Sequence, residues 1–96
     1  MLSRLIGKWY GVEAGNPVEM EFGANGHVTY DVLVGERHHI MLLTWRVEGD
    51  VLISDQPSHP QEVRTQFRFE ADGALILANE GVETRYFQEG TPPGSN

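Results

Sequence analysis

Four histidines, His27, His38, His39 and His59, are the side chains of this chain best suited to ligate a metal ion or move a proton near neutral pH. Their spacing argues against a complete metal site. Neighbouring residues of a strand face opposite ways, so His38 and His39 do not easily share one ion. One of them with His59 and a carboxylate such as Asp55 or Glu83 makes a conceivable set, but solvated loop histidines are the simpler reading. No metal and no cofactor is expected. Ser3, Ser54, Ser58 and Ser95 sit in no Gly-x-Ser-x-Gly elbow, so a nucleophilic triad has no support and no catalytic residue is assigned. Glu19 and Glu21 alternate outward and read as a solvated face. Gly23-Ala24-Asn25-Gly26 is a hairpin, not a phosphate cradle, because no helix follows it.

The elements that must position these residues are strands. Turn chemistry recurs at Gly15-Asn16-Pro17, Asn25-Gly26, Gly35, Gly49-Asp50, Gln56 to Pro60, Asp72-Gly73, Asn79-Glu80-Gly81 and Gly90. Between these signals, runs such as Val18-Glu19-Met20-Glu21-Phe22 alternate apolar and polar residues, the mark of a strand with one buried face. Eight strands are expected, roughly 4–12, 17–23, 27–34, 38–48, 51–55, 61–70, 74–78 and 82–88. Short connections make an antiparallel meander. An open sheet of that size would leave two exposed edges, and closure removes them, so an up-and-down barrel is expected rather than a sandwich. The turns at Asn25-Gly26, Gly49-Asp50 and Asp72-Gly73 are expected to stitch one end tightly. The other four are expected to be longer, adaptable loops of the kind that carry binding residues.

Composition narrows the function classes. The chain of 96 residues is one domain, expected over 1–90 with a flexible tail over 91–96. A net charge of −7 disfavours duplex nucleic acid and anionic membrane surfaces as partners. No cysteine is present, which excludes disulfides, a thiol nucleophile and a cysteine-based zinc site. The sequence shows neither a signal-type apolar stretch nor a spanning one, and a cytoplasmic location is the expectation.

In order and spacing, several motifs resemble the small bacterial lipocalin-like domains. These are an opening Gly7-Lys8-Trp9, an apolar hairpin from Glu21 through Gly26 to Tyr30, and Trp45-Arg46-Val47-Glu48-Gly49-Asp50-Val51-Leu52. Phe67 to Phe69, Asp72-Gly73, Leu75 and a late basic residue, Arg85, complete the pattern. The resemblance spans almost the whole chain and implies an eight-stranded barrel. It also implies that Trp9 packs at the closed end with Arg85 across its ring, a structural contact of ~0.5–2 kcal/mol. The chain departs from secreted lipocalins in being much shorter and in lacking disulfides and a flanking helix, and shared architecture delivers no ligand.

With Trp9 inward, period two turns seven of the nine aromatic residues into the interior. Rings of that size leave little room, so a filled core is expected, with a shallow aromatic pocket as the alternative. If a pocket exists, Asn16, Arg37, His38, His39, His59 and Glu83 surround its mouth. Its expected ligand-binding residues are Tyr30, Arg37, His39, Met41, Trp45, His59, Phe67 and Tyr86, with Arg37 anchoring a carboxylate head. The run His39-Ile40-Met41-Leu42-Leu43-Thr44-Trp45 is apolar on both faces. Outward Ile40 and Leu42, with Tyr10, Val12 and Phe87, are expected to form an exposed patch suited to homodimer formation. The leading reading is a non-catalytic lipocalin-like barrel that binds a small apolar or amphipathic ligand or has lost that role. Its competitors are a filled barrel acting as a protein-interaction or self-association module, and an enzyme whose titrating groups would be His38, His39 and His59.

Overall fold

The structure, a computed structural model, describes residues 4–58 and 60–88. Its alternating segments form β1 (Gly7–Glu13), β2 (Asn16–Phe22), β3 (His27–Val34), β4 (Arg37–Glu48), β5 (Val51–Asp55), β6 (Val63–Phe69), β7 (Leu75–Asn79) and β8 (Val82–Gln88). The strands follow sequence order as an antiparallel meander, and β8 returns to pair with β1, so the sheet is a closed barrel. The expected fold class is the observed one.

Register converts the alternation into an interior. Trp9 pairs with Met20, Met20 with Tyr30 and Tyr30 with Met41, so all four side chains share the inner face. All seven aromatic residues expected inside lie in the core or pack against it: Trp9, Phe22 and Tyr86 are buried, and Tyr30, Trp45, Phe67 and Phe69 pack on them. The end holding the connections 23–26, 49–50 and 70–74 is filled. There Phe22 meets Trp45 edge-on at 5.2 Å, and Trp9 lies 6.1 Å from Phe69. Each such pair adds ~0.5–1.5 kcal/mol beyond burial. The indole nitrogens are satisfied by backbone: Trp9 Nε1 donates to Leu5 O at 2.9 Å and Trp45 Nε1 to Gly23 O at 3.1 Å.

Three expectations change. The first concerns the cation at this end. Arg85 lies on the outer face of β8 while Trp9 points inward, so the barrel wall separates them. Arg85 instead reaches Asp72 and Glu70 and lies 6.0 Å from the Phe87 ring. The cation over the closed-end aromatics is Arg4, 3.9 Å from the Phe69 centroid.

The second concerns the turns. Three of the four connections expected to be long have only two residues, 14–15, 35–36 and 80–81; the remaining one, 56–62, is longer. Ala14-Gly15 and Glu80-Gly81 each place both residues at positive φ, 51° and 82° in one, 52° and 82° in the other. That is the backbone of a type I′ hairpin, whose twist matches the strands it joins. Two of the three connections at the opposite end, 23–26 and 70–74, are wider.

The third concerns the outer apolar patch. Tyr10 pairs with Glu19, Glu19 with Asp31, and Asp31 with Ile40. Glu19 and Asp31 therefore stand between Tyr10 and Ile40 on that row, whereas Val12 pairs with Pro17 on the row beside it. Ile40 and Leu42 themselves are exposed, at 59% and 67%.

Two outward residues are unexpectedly buried. Ile53 pairs with Arg46 on one side and Arg64 on the other; Ile76 pairs likewise with Arg68 and Arg85. Both isoleucines are almost fully covered, because arginine stems lie along apolar surface while their heads stay in water. Arg46 and Arg64 each pair with Glu48 and Glu62. Around Ile76, Arg68 and Arg85 pair with Glu70, Glu83 and Asp72.

Candidate functional site: an open cavity around Glu13

The open half of the barrel follows from strand lengths. β4 has 12 residues but pairs with β5 from Thr44 to Glu48; over Arg37–Leu43 its strand partner among the described residues is β3 alone. Among the described residues β8 meets β1 over three pairs, Trp9–Gly11 with Tyr86–Gln88, and β1 has no β8 partner at Val12 and Glu13. The wall is therefore closed below and parted above. The space so left is an open cavity of about 1360 Å³. Its floor is Met20, Phe22, Val28 and Leu52. Tyr30, Met41, Leu43, Thr65, Leu77 and Tyr86 wall it, and Glu13, Asp55, Gln61 and Asn79 stand toward its mouth. An apolar concavity with a few convergent polar groups is the usual form of a small-molecule site. The interior expected to be filled is thus filled at one end and hollow at the other.

Glu13 is the group sequence reading missed. It shares the inner face of β1 with Trp9 and Gly11. Gly11 pairs with Tyr86, and a Cβ there would lie 2.5 Å from Tyr86 Cδ2. The missing side chain lets the Tyr86 ring lie against the β1 backbone, and its hydroxyl reaches Glu13 two residues further along. Tyr30, two strands away on β3, reaches the same carboxylate. Tyr30 Oη donates to Glu13 Oε1 and Tyr86 Oη to Glu13 Oε2. Each carboxylate oxygen thus accepts one phenol.

Burial, reinforced by the hydrogen bond to Glu13 and its negative charge, pushes the ionisation of both phenols well above the ordinary tyrosine value near 10. Tyr30 and Tyr86 are therefore held protonated as donors. Among the described residues no Lys, Arg or His makes an ion pair with Glu13. Glu13 escaped sequence reading because strand β1 was expected to end at 12, which put Glu13 in the turn. The available signal was parity: position 13 continues the inward series 9, 11.

Of the residues expected to bind ligand, Tyr30, Met41 and Tyr86 line the cavity. Trp45 and Phe67 belong to the core around the filled end. Arg37 and His39 are exposed on the part of β4 that extends past β5, outside the cavity lining. His59 lies outside the described residues, as does the expected tail at 91–96. His38 faces outward, with Nδ1 3.1 Å from both carboxylate oxygens of Asp31. Among the described residues no three His, Asp or Glu side chains gather as metal ligands, and no helix is long and apolar enough to cross a membrane. Comparison with protein-family models, with curated proteins and with solved structures finds no match to this chain.

Proposed function

We propose that this chain is a non-catalytic, lipocalin-like barrel that takes one small apolar or amphipathic molecule into its open end. The observation that carries the reading is the cavity of about 1360 Å³, walled mostly by apolar side chains over a floor of Met20, Phe22, Val28 and Leu52. A filled barrel would leave no such space, and burial of a ligand's apolar surface there is worth roughly 25 cal/mol per Å² before binding costs. The deciding experiment is fluorescence titration with a neutral apolar dye, displaced by fatty acids, alcohols, amines and small aromatics. Saturable one-site binding is expected. Thr65→Trp, which adds a large ring to the cavity wall, is expected to weaken it at least about tenfold, or ~1.4 kcal/mol. A folded protein without saturable binding overturns the reading.

A second reading rests on a different observation. Over Arg37–Leu43, β4 has a strand partner on one side only among the described residues, and Ile40 and Leu42 are exposed on it. Such an edge pairs readily with another strand. A second copy of this chain is the natural partner, through edge pairing that covers Ile40 and Leu42. Light scattering that shows a strict monomer at high concentration removes this reading. A dimer that Leu42→Lys dissociates supports it.

A further inference from the structure

The cavity's polar chemistry indicates what head group its ligand carries. Of the charged residues that line the cavity among those described, Glu13, Asp55, Glu83 and Arg85, Glu13 is the one on the barrel's inner face. Glu83 and Arg85 belong to the outer face of β8 and are satisfied there by Arg68 and by Asp72 and Glu70. Asp55 accepts the Gln61 backbone N–H at 2.8 Å. Glu13 by contrast has two phenols and no cation among the described residues. An ionised carboxylate has about four acceptor positions, and two are taken, so it can accept two more donors from the cavity side.

The two phenols matter as much. Each spends its one O–H on Glu13, and burial with that bond holds each protonated. Neither hydroxyl is left to donate to an acidic ligand, and an acid head would approach a carboxylate. A protonated nitrogen meets the opposite situation. It brings up to three donors to the open acceptor positions and a positive charge to a partly buried negative one. It also lies beside two tyrosine rings, whose faces attract cations. The net charge of −7 favours the encounter of a cation with this chain over that of an anion.

We infer that the ligand is a small amphipathic amine, an apolar body with one ammonium group, and that Glu13, fixed by Tyr30 and Tyr86, is the residue that reads the ammonium. This rests on the cavity being a binding site, and it replaces the carboxylate head expected at Arg37, which lies outside the cavity lining.

The test uses ligands matched in chain length. Decylamine, decanol and decanoate compete separately for the protein against the neutral dye N-phenylnaphthylamine, below their aggregation concentrations and at low salt. Decylamine is expected to displace the dye at least about tenfold more tightly than decanol, and decanoate more weakly than either. In Glu13→Gln the amine preference is expected to vanish while decanol binding stays. If that variant does not fold, the wild type still decides: added salt must weaken decylamine and spare decanol, because only the ion pair is screened. Equal binding of amine and alcohol by the wild type, or a preference untouched by salt, overturns the inference and leaves the cavity reading standing. A folded wild type that binds no dye overturns both.

Discussion

Gly11 and Tyr86 set the geometry of the inner wall. A methyl group at position 11 would lie 2.5 Å from the Tyr86 ring and 2.8 Å from the Arg85 carbonyl. Gly11→Ala is therefore expected to destabilise the barrel by ~1–3 kcal/mol, the usual cost of overpacking, and to loosen the β1–β8 seam. Urea unfolding measures the first effect, and amide exchange on Trp9 to Gly11 the second. Tyr86→Phe removes one of the two donors to Glu13 and is expected to cost about 1.5–3 kcal/mol, as for hydrogen bonds to charged groups.

The same pair predicts a pH dependence. In the unfolded chain both phenols ionise near their ordinary value of about 10. In the folded chain burial and Glu13 hold them protonated to well above it. As pH rises, the unfolded state sheds these protons first, so their contribution is complete below about pH 10 and is lost as pH climbs beyond it. The urea midpoint is expected to fall above about pH 10, and Tyr30→Phe and Tyr86→Phe to flatten that fall. A midpoint that holds steady there in the wild type would contradict the protonated clamp. At this scale the inward aromatics were legible from period two alone. Glu13 was not, because a charged side chain on an inner face runs against the polar-out rule that alternation relies on.

Among elements, the short strands β5 and β7 show how a small barrel protects its outside. Ile53 and Ile76 are buried outward residues, each framed by two arginines. Ile53→Ala is expected to cost about 2–4 kcal/mol, as a core truncation would. Glu62→Gln, which removes exposed carboxylate partners of Arg46 and Arg64, is expected to leave the unfolding midpoint unchanged within error. If the glutamate change proves the larger, the ion pairs and not the covered isoleucines hold this face. Strand β7 ends at another informative pair. Glu80 adopts a left-handed backbone beside Gly81, and Asn tolerates that conformation better than Glu. Glu80→Asn is expected to stabilise the barrel by roughly 0.5–1 kcal/mol, read as a rise in Tm of several degrees. Strand number and order were legible in the turn spacing. Turn lengths were not: Gly15 and Gly81 announce a bend, but its size depends on where the preceding strand stops, and both strands run one residue further than their hydrophobic pattern.

For the whole molecule, the decisive feature is unequal closure. The meander seals around Trp9, Phe22, Trp45 and Phe69 and parts above them, where β4 outruns β5 and, among the described residues, β1 has no β8 partner beyond Gly11. One barrel thus contains both outcomes that the inward rings allowed, a packed core below and a cavity above. Glu13 stands toward the mouth of the cavity, and Arg37 lies outside its lining.

By itself the sequence determined the class of the fold and the facing of its residues. Alternation with period two is a local property, and eight short runs joined by turn residues close most simply into a barrel. The tertiary structure alone decided which inward residues surround empty space, because that depends on how far each strand pairs with its neighbours, a relation between distant segments. It also decided the partners of single side chains. Trp9 and Arg85 resemble a stacked pair in the sequence, but they lie on opposite sides of the wall; Glu13, Tyr30 and Tyr86 show no local link, yet the register of three strands brings their oxygens together.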